Sequence, residues 1–350
     1  MSITRKMLAS AAGLAAAGMA VGVAGVAQRS RVIARRGAGD DTPFGSLRST
    51  PLHVITEDGI DLHAEIDASE QPAEDELTVI FAHGYSLNLD CWHFQRAGYR
   101  GQIRTVFYDQ RSHGRSARST DDHSTIEQLG DDLRRVIEQS SPGPCVLVGH
   151  SMGGMSIVSL AEQHPELFGD KVVGVALIST TAGGLDPGRI LFPMLPLGLG
   201  GRVMAPAVRT LYRGHRVVDL ARKWGHALAD VVTEQYAFGD EVPMHYVDFV
   251  YDMLNATPFA VVADFYPAFA SLDKFDHVEV LGRVPTAVIC GTEDKITGIG
   301  HARKLHARIP GSSLLECEGA GHMVILERHA DVNAELDDLI SLAQARIEAR

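Results

Sequence analysis

A serine between two glycines is the residue of this chain whose type and spacing most directly indicate chemistry. Ser151 lies in Gly149-His150-Ser151-Met152-Gly153, directly after the apolar run Cys145–Val148. A short strand that runs into Gly-X-Ser-X-Gly and continues as a helix is typical of a nucleophile elbow. A serine hydroxyl in that position attacks a carbonyl carbon when a neighbouring base takes its proton. We therefore interpret Ser151 as a nucleophile.

The flanking glycines have a steric reason in this interpretation. The chain must reverse so sharply at Ser151 that Gly149 and Gly153 are needed, because a Cβ atom at either position would clash with the strand or the helix. The helix is predicted over Met152–His164, and its N-terminal dipole favours negative charge at the serine. The turn is therefore expected to lift the hydroxyl above the sheet edge, at a helix N-terminus that favours negative charge.

An acid and a histidine follow the serine, each at the end of a predicted strand. The strand Thr286–Cys290 leads into Gly291-Thr292-Glu293-Asp294, where both acids are candidates. The strand Ser313–Cys317 leads into Gly319-Ala320-Gly321-His322. Open α/β sheets bind their ligands at the carboxyl ends of their strands, so these residues are expected near Ser151. Of the chain's 16 histidines, His322 has this glycine-flanked position after a strand, and it is the predicted base.

The elements that must position these residues alternate between strand and helix, which predicts an α/β fold. We expect an eight-stranded, mostly parallel sheet whose first two strands form an antiparallel hairpin turned at Asp58-Gly59. The predicted strands are His53–Thr56, Asp61–Ile66, Leu77–Ala82, Thr105–Tyr108, Cys145–Gly149, Val172–Ile178, Thr286–Cys290 and Ser313–Cys317. The predicted helices are Asp90–Tyr99, Ser124–Gln139, Met152–His164, Ile299–Arg308 and Ala330–Ala345.

In order and spacing, five motifs resemble those of the α/β-hydrolase family, in its serine esterase and lipase-like form with a cap domain. They are His83-Gly84-Tyr85, Asp109–Ser116, Gly149–Gly154, Gly291–Asp294 and Gly321-His322. The resemblance implies that Ser151, Asp294 and His322 form a catalytic triad, with Asp294 preferred to Glu293. It also implies an oxyanion hole made by the backbone N–H groups of Tyr85 and Met152. The segment Asp109–Ser116 is expected to brace the fold rather than to react.

The regular alternation of strands and helices stops between residues 184 and 273, which are rich in aromatic side chains. The resemblance implies a helical cap here, inserted after the sixth strand between two parts of the hydrolase core, 51–183 and 274–350. Some of the aromatic side chains should make the substrate pocket apolar, whereas others should form the core of the cap. The pocket candidates are Tyr85, Phe192, Trp224, Tyr246, Phe249 and Phe269.

The N-terminal residues 1–39 are predicted to form a hydrophobic helix with basic flanks. Met7–Ala27 holds 21 residues without a charge, which is long enough to cross a bilayer. Two basic residues precede it and four arginines follow it, so we expect a single-pass membrane anchor with a cytoplasmic catalytic domain and a linker at 40–50. A signal peptide cleaved near Ala27, and hence secretion, is the alternative.

Charge and cysteine content exclude several kinds of partner. The net charge is −12 and the first 36 residues hold six basic and no acidic side chains, so the remainder carries about 18 excess negative charges, which argues against nucleic acid. The four scattered cysteines are predicted to be free, buried thiols. They are Cys91, Cys145, Cys290 and Cys317. No metal-binding motif or phosphate loop is present, so we predict no metal and no cofactor.

The predicted activity is hydrolysis of a small carboxylic ester with an apolar acyl or alcohol group. A serine at position 151 disfavours epoxide and haloalkane chemistry, for which relatives use an aspartate there. The same triad could instead cleave C–C, thioester or amide bonds, or form peroxyacids without a cofactor. A noncatalytic binding module of this fold would lose part of the triad, but this chain keeps a candidate for each member.

Overall fold

A central eight-stranded sheet organises the computed structural model, which describes residues 43–72, 75–119, 123–185 and 233–349. Its strand order is β1-β2-β4-β3-β5-β6-β7-β8. The strands are β1 (Pro51–Ile55), β2 (Asp61–Asp67), β3 (Thr78–Ala82), β4 (Arg104–Tyr108), β5 (Cys145–His150), β6 (Val172–Ile178), β7 (Thr286–Gly291) and β8 (Ser313–Cys317). β2 pairs antiparallel with β1 and β4, and the other neighbours are parallel. The predicted sheet and its opening hairpin are confirmed.

The helices pack on both faces of this sheet or lie above its edge. They are α1 (His93–Tyr99), α2 (Ile126–Ser140), α3 (Met152–Gln163), α4 (Met244–Ala256), α5 (Phe259–Ser271), α6 (Ile299–Arg308), α7 (Val324–Glu327) and α8 (His329–Glu348). The five predicted helices correspond to α1, α2, α3, α6 and α8, although α1 is preceded by a 3-10 turn at Leu89–Trp92. Local chemistry sets the start of α2, where the Thr125 hydroxyl accepts a hydrogen bond from the Gln128 N–H at 3.1 Å.

Neighbouring residues of each central strand are buried on opposite faces of the sheet. In β3, for example, Phe81 belongs to the cluster under α1 and α8, whereas Ile80 belongs to the cluster with Leu133 of α2 and Leu305 of α6. Side chains alternate across a strand, so a strand covered on both faces must be apolar throughout. This explains the uninterrupted apolar runs from which the strands were predicted.

The segment Asp109–Ser116 braces the turns after β4, as the sequence predicts. Arg111 is fully buried and donates two hydrogen bonds to the Asp132 carboxylate on α2, both at 2.6 Å. Asp109 accepts from the N–H groups of Leu89 at 2.7 Å and Arg115 at 2.8 Å. Burial raises the pKa of Asp109 to about 6, against the opposing effect of these bonds. The acid and the arginine of this motif are therefore used within the framework.

The prediction of a single-pass membrane anchor is corrected: no helix in the described ranges is long and apolar enough to cross a membrane, so the structure does not support an anchor. The predicted segment, Met7–Ala27 within residues 1–39, lies outside those ranges. Its length matched a bilayer, but 13 of its 21 residues are alanine or glycine. Such small side chains bring little apolar area, so the hydrophobic driving force for insertion is weak.

Residues 43–50, the described part of the predicted linker, contact the core. Phe44 stacks on Phe249 of α4 with ring centroids 4.4 Å apart. Arg48 forms an ion pair with Asp90, and the Ser49 N–H donates to the Glu65 carboxylate at 2.9 Å. The chain that leads into β1 is thus packed against the molecule by both aromatic and charged side chains.

Candidate active site

The turn between β5 and α3 holds Ser151 in a strained backbone conformation. Its φ is 52° and its ψ is −116°. A residue other than glycine stays in such a region when surrounding bonds hold it there. The Ser151 N–H donates to the Ile178 carbonyl at 2.9 Å, and the Ser151 carbonyl accepts from the Thr180 hydroxyl at 2.6 Å. Both partners lie at or just after the end of β6, so the neighbouring strand fixes the turn.

The glycines of the turn have the steric role that the sequence indicates. A Cβ atom on Gly149 would lie 2.6 Å from the carbonyl carbon of Gly153, and one on Gly153 would lie 2.0 Å from the carbonyl oxygen of Ala82. Both distances are far below van der Waals contact. Any side chain at these positions would therefore push the helix away from the strands.

An aspartate–histidine pair lies at the same edge of the sheet. The Nδ1 atom of His322, after β8, is 2.9 Å from the Oδ2 atom of Asp294, after β7. The other carboxylate oxygen accepts from the N–H groups of Ile296 at 2.8 Å and Thr297 at 2.9 Å, and the Thr297 hydroxyl donates to Oδ2 at 2.8 Å. With Nδ1 bound to the carboxylate, Nε2 is the ring nitrogen left for proton transfer.

The electrostatics of this pair favour an ionised aspartate. Burial alone would raise the pKa of Asp294, but the charge of His322 and the hydrogen bonds from His322 and Thr297 outweigh burial and lower the pKa. Glu293 is exposed, and its N–H donates to the Ala320 carbonyl at 2.9 Å. Of the two candidate acids, Asp294 is thus the one that contacts the histidine.

His150 connects the serine turn to the histidine loop. Its Nε2 atom lies 2.9 Å from the carbonyl oxygen of His322, and the two rings are 4.9 Å apart between centroids. Burial lowers the pKa of His150 to about 3, so the ring is neutral and Nε2–H donates. The residue before Ser151 therefore contacts the backbone of the predicted base directly.

The loop after β3, which contains Tyr85, lies on the other side of the turn. A Cβ atom on Gly84 would lie 2.8 Å from Nδ1 of His150, so this loop and the turn are in close contact. The ring of His83 accepts from the Gln110 N–H at 2.9 Å, and burial lowers its pKa to about 3. His83 is thus a neutral framework residue. The predicted oxyanion donors lie in these two loops: Tyr85 comes directly after Gly84, and Met152 comes directly after Ser151.

Apolar residues of α5 cover this region. Met152, Phe265 and Phe269 share one buried cluster, against which the Tyr85 ring packs edge-on to Phe269 at 4.9 Å between centroids. The Tyr85 hydroxyl donates to the Val262 carbonyl on α5. Tyr85 and Phe269 are therefore the two predicted pocket residues that the structure brings together beside Met152.

The other four predicted pocket residues are not found in this cluster of the described structure. Tyr246 and Phe249 lie on α4 and pack against Phe44, at 5.0 Å and 4.4 Å between ring centroids, in a separate aromatic group. Phe192 and Trp224 lie outside the described residues, as does the range 186–232 that contains them.

Sequence reasoning missed three residues that contact the site. Phe265 belongs to the cluster with Met152, Thr297 binds Asp294, and Glu327 accepts from the N–H of Gly321, next to His322, at 2.8 Å. Phe265 could have been found from its spacing, since it lies four residues before Phe269 on one helix. Thr297 and Glu327 carry no comparable signal.

Metal-ligating side chains and cysteine thiols are two further kinds of group that could react. Within the part of the chain that the structure describes, no three or more His, Cys, Asp and Glu side chains are grouped so that they could hold a metal ion. The four cysteines are free and buried, as predicted. Burial raises the pKa of the Cys145 thiol to about 12 and, as the main cause, that of Cys317 to about 11. These thiols therefore remain protonated at neutral pH.

Known proteins share both the sequence pattern and the fold. Residues 79–335 match the model of the Alpha/beta hydrolase family. An uncharacterized protein of Mycobacterium tuberculosis (strain ATCC 25618 / H37Rv) is 26% identical over 256 residues, 70% of this chain and 69% of the relative. The enol-lactonase from Burkholderia xenovorans LB400 has a TM-score of 0.63 at 24% identity, over 81% of this chain and 97% of that one. A thermophilic esterase from Thermogutta terrifontis has a TM-score of 0.65 at 21% identity, over 84% and 99%.

Proposed function

Because this chain belongs to the alpha/beta hydrolase family, we propose that it is a serine hydrolase that cleaves carboxylic esters through an acyl-enzyme intermediate. The observation that carries this proposal is the bond of 2.9 Å between His322 and Asp294 at the sheet edge where Ser151 follows β5. A serine, a histidine and a buried acid at one edge are the parts that acyl transfer requires.

Each member of the proposed triad has a distinct task. His322 takes the proton from the Ser151 hydroxyl through Nε2 as the oxygen attacks the ester carbonyl, and returns it to the leaving alcohol. The Asp294 carboxylate accepts a hydrogen bond from Nδ1–H of His322, which fixes the tautomer of the ring and stabilises the imidazolium. Water, activated by the same histidine, then releases the acyl group from the serine.

The negative charge that develops on the ester oxygen needs donors in the same place. We propose the backbone N–H groups of Tyr85 and Met152, which belong to the loop after β3 and to the first turn of α3. The contact between Gly84 and the His150 ring supports this pairing, since it brings the two loops together. Removing one such donor typically costs about 10²–10³ in rate.

The substrate is proposed to be an ester with an apolar acyl or alcohol group. Phe265, Phe269 and Met152 form an apolar cluster beside Ser151, and such a wall favours apolar groups over charged ones. Two similar structures carry the names enol-lactonase and esterase, and both names denote ester hydrolysis. These resemblances support the carboxylic ester as the bond that is cleaved.

We further propose that residues 184–273 form a cap between the two core parts, 51–183 and 274–350. This division is supported by the point where the chain leaves and re-enters the core. Gly183 forms a β-bridge with Asp273, and the Lys274 N–H donates to the Ala182 carbonyl at 2.7 Å. An insertion whose two ends meet in this way can be accommodated without disturbing the sheet.

The nucleophile assignment is tested with a fluorophosphonate probe and with a 4-nitrophenyl ester. The wild-type protein should be labelled at Ser151, and Ser151→Ala should lose labelling and about 10⁴–10⁶ in kcat while keeping its fold. Ser341→Ala, on the exposed face of α8, is the matched control and should behave as the wild type. Retention of more than about a tenth of the activity by Ser151→Ala would contradict the proposed function.

A further inference from the structure

The histidine loop contacts one segment of the proposed cap backbone to backbone. The Met323 N–H, one residue after His322, donates to the Ala237 carbonyl at 2.8 Å. A Cβ atom on Gly239 would lie 2.2 Å from the Gly319 carbonyl oxygen, and one on Gly321 would lie 2.4 Å from the Gly239 nitrogen. The segment 237–240 and the loop 319–323 are thus pressed together with no side chain between them.

The carboxylate of Glu327 spans this contact. Its Oε1 atom accepts from the Gly321 N–H at 2.8 Å, and its Oε2 atom accepts from the N–H groups of Gly239 at 2.9 Å and Asp240 at 3.3 Å. One oxygen therefore holds the loop of the predicted base and the other holds the cap segment. Hydrogen bonds from backbone N–H groups to an ionised carboxylate are shorter and stronger than neutral ones.

An ion pair closes the same contact from outside. Arg328, the next residue, pairs with Asp240 and donates to the Glu318 carbonyl at 3.0 Å. Glu327, the last residue of α7, and Arg328, which follows it, thus bind the segment 237–240 to the histidine loop and to the residue before that loop. No group of this arrangement contacts the Ser151 hydroxyl, so its effect on catalysis must pass through His322.

We propose that Glu327 is a positioning residue that couples the placement of the cap segment 237–240 to that of His322. The inference rests on the proposed function, in which His322 is the base. A single carboxylate bridges the two segments, so a shift of the cap segment pulls on the backbone N–H that precedes His322. A misplacement of about 1 Å in a catalytic group can cost about 10² in rate. Glu327 thereby makes the reactive position of the histidine depend on a docked cap.

The test compares Glu327→Gln with Glu318→Gln. Glu318 is an exposed glutamate just before the loop 319–323, and its carbonyl contact with Arg328 does not depend on its side chain. An amide has one acceptor oxygen, so Glu327→Gln can serve only one of the two segments, and its NH₂ faces the donors of the other. We expect kcat on a 4-nitrophenyl ester to fall roughly 10- to 100-fold while KM changes less than about threefold. The low-field proton resonance of the His322–Asp294 bond should broaden or shift in Glu327→Gln and not in Glu318→Gln.

A second variant keeps the test informative if Glu327→Gln fails to fold. Glu327→Asp retains the charge but is too short by one methylene to reach both segments, so its kcat should lie between those of the wild type and Glu327→Gln. Wild-type kcat in both variants, a lower melting temperature with unchanged kcat, or a rise in KM alone would overturn the coupling. An unlabelled, inactive wild-type protein would instead contradict the proposed function itself, and the two failures are thereby distinguished.

Discussion

The loops at the carboxyl ends of the strands and the helical segment 233–271 meet beside Ser151, but they differ in how far backbone bonds and side-chain bonds contribute to holding them. In the sheet, backbone groups bind backbone groups: the Ser151 N–H to Ile178 at 2.9 Å and the Ser179 N–H to Ile289 at 2.8 Å. Several of the bonds that attach the helical segment involve side chains. The Tyr85 hydroxyl binds Val262, the Thr257 hydroxyl binds Ser86 at 3.2 Å, and Glu327 binds Gly239 and Asp240.

This difference separates two classes of substitution. A backbone bond does not depend on the side chain of the residue that makes it, so conservative changes at residues such as Ile178 and Ile289 should leave these bonds in place. A side-chain bond is removed by one substitution, so the helical segment can be loosened without replacing a group that reacts. Changes to the proposed triad are therefore expected to be severe, and changes to the attachments of the helical segment moderate.

After the loss of Ser151 itself, the largest effect expected in the sheet loops is that of the buried acid. Asp294→Asn should lower kcat by roughly 10³–10⁴, because the amide can stabilise the wrong imidazole tautomer. Glu293→Gln, at the exposed neighbouring position, should cost less than about tenfold. Steady-state kinetics on one ester, with circular dichroism as the fold control, measure both. The reverse ranking of the two variants would show that the contact between His322 and Asp294 is not the one used in catalysis.

A moderate effect is expected from acyl chain length, since it depends on the apolar cluster on the helical side. Each buried methylene contributes about 0.8 kcal/mol, or roughly fourfold in kcat/KM, until the pocket is filled. We expect 4-nitrophenyl esters to improve from acetate to about butyrate or octanoate and then to level off. Phe269→Ala should flatten this gain, whereas Leu342→Ala, on the exposed face of α8, should leave it unchanged. A preference for acetate in the wild type would mean that the cluster stabilises the fold but does not bind the acyl chain.

The smallest effect should come from a single attachment of the helical segment. Tyr85→Phe removes the hydroxyl that binds the Val262 carbonyl but keeps the ring against Phe269. The loss of one such bond corresponds to roughly 2- to 10-fold, which we expect in kcat/KM for the longer esters and less for acetate. A loss as large as that of Asp294→Asn would mean that the hydroxyl takes part in the reaction.

Short-range signals made most of the sheet and the serine turn predictable. All eight strands were predicted, the central ones because strands buried on both faces are apolar throughout, and the turn was predicted because Gly149 and Gly153 have no room for a Cβ atom. His322 was singled out by the same kind of local pattern, a strand followed by glycines. These features follow from backbone sterics and from the burial of neighbouring residues. The membrane anchor, inferred from length and charge alone, is not supported by any membrane-spanning helix in the described residues.

Tertiary structure decided which of the candidates contact one another. Glu293 and Asp294 are adjacent in sequence, and only the fold of the loop buries one carboxylate against His322 and exposes the other. Helical spacing shows which aromatic residues share a face but not what that face meets, so Phe269 packs against Tyr85 whereas Phe249 packs against Phe44. The bridge from Glu327 to Gly239 joins positions 88 residues apart. Such contacts arise only when the chain folds back on itself, and no local pattern of residue types specifies them.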